Sequence, residues 1–271
     1  MSWLGTPHIA LPECVSTNDE AARLARAGAV HGTIVVADTQ TGGRGRMGRV
    51  WTSPPGGNLY LSCVLRPPLA LPQTPALALA IGIAVCDAVR SVGADASLKW
   101  PNDVLIGGRK VAGILLEAQS QGSRLESLIA GIGVNLSAPL PPELADIGTT
   151  LLDGVPPTNH AAVARAQFLP ILLASLEQWV DRYVAVGVSV VVEAWNQRMM
   201  RDLIVRVGVG TGAITGTALG IDQEGNLRLR DTAGTVHIVR AGDVEIVRRV
   251  TTGTTPSRGV AAITVPPPAT L

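Results

Sequence analysis

The stretch "SLKWPNDVLIGGRKVAGILLEAQSQGSRLESLIAGIGVNL", Ser97–Leu136, holds four short β-type runs cut by tight turns. "SLKW", "DVLI", "KVAGILLEAQ" and "LESLIAGIGVNL" are separated by a Pro-Asn-Asp turn, by "GGR" and by "SQGS", residues that favour turns. The continuous apolar character of the later runs predicts strands buried on both faces, and hence a central sheet. The same stretch holds a compositional oddity. Of 22 Lys and Arg residues, only Lys99 and Lys110 are lysines. Lysine is a compact charge with three rotating donors, and it fits against an oxygen under attack where a planar guanidinium does not. If the segment is a hairpin, both lysines lie on paired strands flanking one site. The plain alternative is that two rare residues fell together by chance.

Upstream, "STNDEAARLARAG" carries a capping box, Thr17 with Glu20, and predicts a helix over about 18–28 stopped by Gly28. "GTIVVADTQ" reads as a strand ending near Asp38, and Asn58 to Arg66 as another. Between them, "TGGRGRMGRVWTSPPGG" has neither helical nor strand periodicity and reads as a long flexible loop, a length usually kept for function. A helical pattern covers Gln73 to Val92. Downstream, a Pro-rich connection over 139–157 precedes helices at about 160–183 and 188–200, with Pro170 expected to kink the first. Five short strands then alternate with "TG", "QEG" and "TAG" turns, the pattern of a small β-barrel. The domains expected are 1–200, 201–249, and a Thr/Pro-rich tail over 250–271 that reads as disordered.

A chain of 271 residues, 46% hydrophobic and 16% charged, can bury a substantial core. Its net charge of +1 argues against nucleic acid or a membrane surface as the main partner. With 3% aromatic residues there is little to stack bases on. The N-terminal segment has no basic, long apolar signal-like pattern, and the most apolar run, Ala76 to Cys86, is too short for a bilayer and reads as a buried helix. Cys14, Cys63 and Cys86, odd in number and without CxxC spacing, fit a reducing cytoplasm.

The chemistry concentrates in a few motifs. In "GGRGRMGRVW", Gly42 to Trp51, glycines permit close backbone approach and arginines pair bidentately with phosphate, which suits a polyphosphate. An RGG-type basic loop that binds RNA loosely is the other reading. The spacing is neither a P-loop nor a dinucleotide fingerprint. Asn102 and Asp103 offer an amide and a carboxylate at the apex of the turn between the lysines. On local grounds Ser16 and Thr17 read as helix-capping residues, Asn135 as the start of a turn, and Trp51 as core or a lid over a flat ring. His8, His31, His160 and His237 show no metal spacing and no nucleophile partner.

"STN" at 16–18, Gln40 with "RGRMGRVW", "KWPND", "RKVAGILLE" and "GIGVN", in this order, closely resemble the motifs of bacterial biotin protein ligases. The five-strand segment from Leu203 to Arg248 resembles that family's SH3-like C-terminal domain. The resemblance implies an α+β fold, a central mixed sheet flanked by helices of the class II synthetase-like kind, with the SH3-like barrel appended. It implies a reaction in which biotin and MgATP give biotinyl-5′-adenylate and pyrophosphate, followed by transfer to one lysine of a biotin carboxyl carrier protein. By motif match, Ser16, Thr17, Asn18, Gln40, Arg44, Gly45, Arg46 and Gly113 would shape the biotin pocket. Lys110 would meet the carboxylate and α-phosphate, and would be catalytic with Arg46. Arg46, Arg49, Trp51, Lys99, Asn102, Lys110 and Asn135 would hold ATP or the adenylate. Mg²⁺ would ride mainly on the phosphates, with Asp103 a further candidate ligand.

The absence of a visible catalytic base fits this chemistry. Biotin's carboxyl should ionise like a glutamate's, at about 4.3, so the nucleophile is already an anion at neutral pH. The step needs charge cancellation instead. Only fifteen residues precede Ser16, so a ligase without a DNA-binding repressor domain is expected, acting in the cytoplasm as a monomer or homodimer. Met47 departs from the family, which often has a basic residue there. The rivals are a lipoate protein ligase, related in fold, and a non-enzymatic RNA-binding protein.

Overall fold

The computed structural model describes residues 2–209, 212–242 and 244–249; the expected tail over 250–271 lies outside the described residues. Seven strands form the main sheet: β1 (His8–Cys14), β2 (Ile34–Gln40), β3 (Leu59–Leu65), β4 (Ala96–Lys99), β5 (Asp103–Ile106), β6 (Arg109–Gln121) and β7 (Arg124–Val134). Their order is β1-β2-β3-β7-β6-β5-β4. Only β1 and β2 run parallel; the remaining pairs are antiparallel. Helix α1 (Thr17–Arg26) covers one face and α2 (Thr74–Ser91) the other. The short α3 (Leu151–Gly154) and α4 (His160–Val163) lead into α5 (Arg165–Val186) and α6 (Val188–Arg198), which pack behind α2.

Why α2 is the core helix follows from its residues. Twelve of its eighteen residues are buried, from Ala76 to Val89, because an all-round apolar helix has no face to give to water. By length and composition Leu71–Ser91 could cross a membrane, but here it lies against the sheet and α5. On the opposite face a smaller cluster, Ala21, Ala25, Val35, Val64 and Ile129, seats α1.

The second sheet contains β8 (Leu203–Val209), β9 (Gly212–Ile221), β10 (Leu227–Asp231), β11 (Val236–Val239) and β12 (Val244–Arg249), all antiparallel in the order β11-β10-β9-β8-β12. Its apolar side joins the main core through Leu203, Val205, Leu227 and Leu229.

Several sequence expectations are corrected. Strand β1 was not foreseen, because Pro12 breaks the strand pattern; it is tolerated on an edge strand, where one row of backbone groups has no partner strand. Helix α1 begins at Thr17 and ends at Arg26, with Ser16 at the N-cap. The expected capping box of Thr17 with Glu20 is not formed, since Thr17 is already helical and its hydroxyl faces Gln40 and Ser62. Pro170 lies within α5, and a break in the helical run falls before it, at Ala164, whose ψ is 135°. Strand β6 is buried only in part: Val111, Ala112 and Ile114 are buried, whereas Ala118, Ser120 and Gln121 are exposed.

Candidate active site

The register of the main sheet assembles the site floor. Asp103 pairs with Gly113, Gly113 with Gly133, and Gly133 with Tyr60, so these four residues form one row across β5, β6, β7 and β3. Side chains alternate between faces, so Gly131 and Gly133 lie on the same face as Ile129, the α1 face. Where α1 begins, the sheet carries glycines rather than apolar side chains, and a cavity of about 570 Å³ opens over them.

The glycines make room for named neighbours. A Cβ at Gly133 would come within 2.4 Å of the Trp51 ring, one at Gly131 within 2.2 Å of Asn18 Oδ1, and one at Gly113 within 2.9 Å of Lys110. Trp51 is therefore half-buried at the cavity floor. Its indole rests on the glycine floor beside Lys110, whose Nζ is 5.1 Å from the ring centroid, and its buried Nε1 has no hydrogen-bond partner.

The two lysines do not lie on strands paired with each other. Lys99 ends β4 and Lys110 lies at the start of β6, on either side of β5, which carries Asp103. The "DVLI" run that the sequence marks out is the intervening strand, so the lysines lie on the two strands that flank it rather than on a single hairpin. In the second turn Gly107 and Gly108 both have positive φ, 58° and 77°, which residues with a Cβ rarely adopt together. A register shift opposite Val104 and Leu105 leaves Val111 as the extra residue. Val111 is fully buried in the core while Lys110 reaches Asp103, so the bulge re-aims the lysine toward the α1 face.

Asp103 accepts from both lysines at 2.6 Å, Oδ2 from Lys99 and Oδ1 from Lys110. Burial pushes its carboxyl up, but the ammonium groups of Lys110 and Lys99 outweigh that and hold it below the usual aspartate range. Lys99 also donates to the Val244 carbonyl of β12 (2.9 Å), and Arg46 to the Gly242 carbonyl. Trp100, in the turn after Lys99, donates to the Gly225 carbonyl (3.1 Å). The second sheet therefore closes one wall of the cavity, with Val244, Glu245 and Ile246 lining it.

Opposite, the start of α1 forms a polar wall. Gln40 Oε1 accepts from the Thr17 backbone N–H (2.8 Å) and lies 3.1 Å from the Thr17 hydroxyl, and Gln40 Nε2 donates to Ser53 Oγ (2.8 Å), which donates to the Trp51 carbonyl (3.0 Å). Ser62 Oγ lies 2.8 Å from Thr17 Oγ1 and donates to Asn18 Oδ1 (2.6 Å), and Asn18 Nδ2 donates to Glu117 (2.6 Å). Ser16 occupies the N-cap position without a side-chain cap bond, and both Ser16 and Thr17 are buried in the cavity wall.

The arginine loop has structure of its own. Arg44 and Val50 form a β-bridge, the Gly45 N–H donates to the Arg49 carbonyl (2.7 Å), and a 3-10 turn spans Arg46–Gly48 with Met47 at φ 55°. Arg44 grips Asp19 on α1 through two bonds of 2.6 and 2.7 Å, which holds the Asp19 carboxyl below its usual range. Asn102 donates to the Ile114 carbonyl (2.7 Å), and Asn135 to the carbonyls of Lys110 (3.4 Å) and Thr149 (3.3 Å), so each ties a loop to the floor.

Every residue singled out from the sequence lines this one cavity: Ser16, Thr17, Asn18, Gln40, Arg44, Gly45, Arg46, Arg49, Trp51, Lys99, Asn102, Asp103, Lys110, Gly113 and Asn135. Sequence reasoning missed Ser62, Ser53, Glu117 and the β12 residues. A lone serine in "NLYLSCVLR" at a strand's centre was the available signal for Ser62. The cysteines stay outside this chemistry, since burial raises Cys63 and Cys86 to about 12 and Cys14 to about 11.

A glycine-floored, cation-lined cavity on a mixed sheet, closed by a second small sheet, defines the class. The chain belongs to the biotin/lipoate A/B protein ligase family, whose model matches residues 13–135, and the model for the biotin protein ligase C terminal domain matches residues 204–247. Within that family it is an enzyme of the biotin–[acetyl-CoA-carboxylase] ligase kind, and its activity is biotin ligation. It is 37% identical over 243 residues to the bifunctional ligase/repressor BirA of Bacillus spizizenii, covering 85% of this chain and 71% of that one. It is 36% identical over 225 residues to the biotin–[acetyl-CoA-carboxylase] ligase of Paracoccus denitrificans, covering 81% and 92%. A solved biotin protein ligase from Aquifex aeolicus in complex with biotin and ATP superposes with a TM-score of 0.74 at 30% identity, covering 90% of this chain and 99% of that one.

Proposed function

We propose that the protein activates biotin with MgATP and passes the biotinyl group to a lysine of a biotin carboxyl carrier protein. The observation that carries this reading is the Lys99–Asp103–Lys110 cluster on the glycine floor, facing the Thr17–Asn18 wall and the arginine loop. In the first step a biotin carboxylate oxygen bonds to the α-phosphorus, the α–β anhydride bond breaks, and pyrophosphate leaves. Both reactants are anions, so the barrier is dominated by repulsion and by charge building on the phosphoryl oxygens, and fixed cations lower it. Lys110, with a third of its side chain exposed to the cavity side of the pair, takes that place by turning from Asp103 to the reacting oxygens. Lys99 and Arg46, tethered to the β12 side, hold the nucleotide phosphates.

Biotin's ring urea sits against Ser16, Thr17, Asn18 and Gln40, and the Arg44–Gly45–Arg46 segment covers it. Trp51, with Asn102 and Asn135, borders the nucleotide. In the second step the carrier amine attacks the acyl carbon, the acyl–phosphate bond breaks, AMP leaves, and the amine loses a proton. The loop's cover keeps water from the mixed anhydride.

Among the described residues there is no group of three or more His, Cys, Asp or Glu placed to hold a metal, and both Asp103 oxygens already face lysines. Magnesium enters as part of the MgATP substrate. Pyrophosphate release from ATP, measured with biotin and with lipoate, tests the reading. Biotin-dependent release, and one biotinyl mass added to a carrier domain, are the expected results; release that depends on lipoate alone overturns it.

A further inference from the structure

Glu117 lies on β6 behind the polar wall, two residues beyond Leu115 on the cavity face. Its Oε2 accepts from Asn18 Nδ2 at 2.6 Å. Each amide and hydroxyl in the wall could point its protons either of two ways, so the groups at the ends of the chain decide. A carboxylate only accepts. It therefore turns the Asn18 NH₂ outward and leaves Oδ1 to accept from Ser62 at 2.6 Å. The Ser62 proton is then committed to Asn18, and Ser62 can only accept from Thr17, 2.8 Å away. With Asn18 reversed, its NH₂ would donate to Ser62, the Ser62 proton would pass to Thr17, and the wall's polarity would invert. Asn18 is buried, and Gly131 beneath it leaves room for a flip in place but none for a Cβ.

We propose that Glu117 is a positioning residue that sets the donor and acceptor polarity of the Thr17–Asn18 wall, and through Asn18 the recognition of biotin's ring urea. A cyclic urea presents two N–H donors and one carbonyl in fixed directions, so a wall of reversed polarity leaves buried groups unpaired, which binding tolerates poorly. Glu117 also stands 3.8 Å from Arg44, so its charge could instead act on the loop. The two roles separate by substitution. Gln keeps an acceptor at the same reach but not the charge, and Ala keeps neither.

The inference rests on the cavity being a biotin site, and the test distinguishes the two. Biotin-dependent pyrophosphate release is measured against biotin concentration for the full chain and for Glu117→Ala, Glu117→Gln, Asn18→Ala and the Asn18→Ala/Glu117→Ala pair. Glu117→Ala is expected to raise the biotin KM at least about tenfold, about 1.4 kcal/mol, with kcat within about threefold. Glu117→Gln should stay within about threefold in KM. In the Asn18→Ala background, adding Glu117→Ala should change KM less than about twofold, as expected for groups acting as one unit. Should the alanine weaken β6, Glu117→Thr, a strand former too short to reach Asn18, carries the same expectation. An unchanged KM in Glu117→Ala, equal loss in Ala and Gln, or additive losses in the pair overturn the inference. Wild-type protein that shows no biotin dependence overturns the underlying site reading instead.

Discussion

Replacing Asp103 by Asn keeps the side chain's shape and removes the one negative charge shared by two lysines. Asp103 and Lys99 are each 11% exposed at the side chain and lie 2.6 Å apart, so the substitution leaves an ammonium with little water and no counter-charge. Removing one partner of a buried pair costs about 3–5 kcal/mol. Lys110, with 33% of its side chain exposed, regains solvent and adds roughly 1 kcal/mol or less. For a chain of this size each kcal/mol is worth roughly 2–4 °C, so a fall in Tm of about 6–24 °C is expected at pH 7. The pH dependence has a definite sign. Because the folded-state pKa of Asp103 is depressed, its contribution is fully present above the unfolded value of about 3.9 and is lost as pH falls through the folded value. The stability gap between wild type and Asp103→Asn should be flat from pH 8 to about 5 and should narrow below about pH 4. Urea unfolding across pH 3–8 measures it. A gap under about 1 kcal/mol at pH 7, or one that widens toward acid, refutes the reasoning.

Lys110→Arg keeps the charge but replaces a compact donor with a planar fork, and pyrophosphate release should fall at least about tenfold, about 1.4 kcal/mol of barrier; near-wild-type turnover would show that lysine's identity does not matter. Gly131→Ala places a methyl within 2.2 Å of Asn18 Oδ1, so the biotin KM should rise at least about tenfold, whereas Gly28→Ala, at a positive-φ helix end with open space around it, should cost about 1 kcal/mol of stability and leave KM unchanged. Arg44→Ala removes an exposed ion pair and should cost less than about 1 kcal/mol in unfolding, yet it should speed proteolysis within residues 41–57, since the Asp19 grip is lost; identical cleavage rates would count against that grip. Cys63 and Cys86, held near 12 by burial, should resist iodoacetamide at pH 8 in the native protein and react on unfolding, as read by mass spectrometry.

Much of the fold was legible in local pattern. The apolar run in α2, the period of α1 and the turn-separated segments of both sheets each reported burial directly, because a residue's neighbours in sequence already decide whether it can face water. Strand β1 was not legible, since Pro12 is forbidden in a central strand and allowed only at an edge, and edge position is a property of the whole sheet. The same limit applied to Ser16 and Thr17. Their types are those of helix caps, and only the approach of Gln40 and Ser62 from other strands turns the Thr17 backbone and hydroxyl into part of a buried wall.

From its residues alone, then, the chain pointed to groups that gather in one cavity: two lysines among many arginines, a glycine-spaced arginine loop, and Gly113. What only the tertiary structure decided was their mutual placement. The unpaired Val111 turns Lys110 onto the face that holds Asp103; Asp103 binds both lysines at once; and a carbonyl from β12 takes the Lys99 ammonium. A bulge shifts register by one residue, and a contact between Lys99 and Val244 spans 145 positions, so neither leaves a trace in local sequence pattern; both arise from the packing of strands against each other.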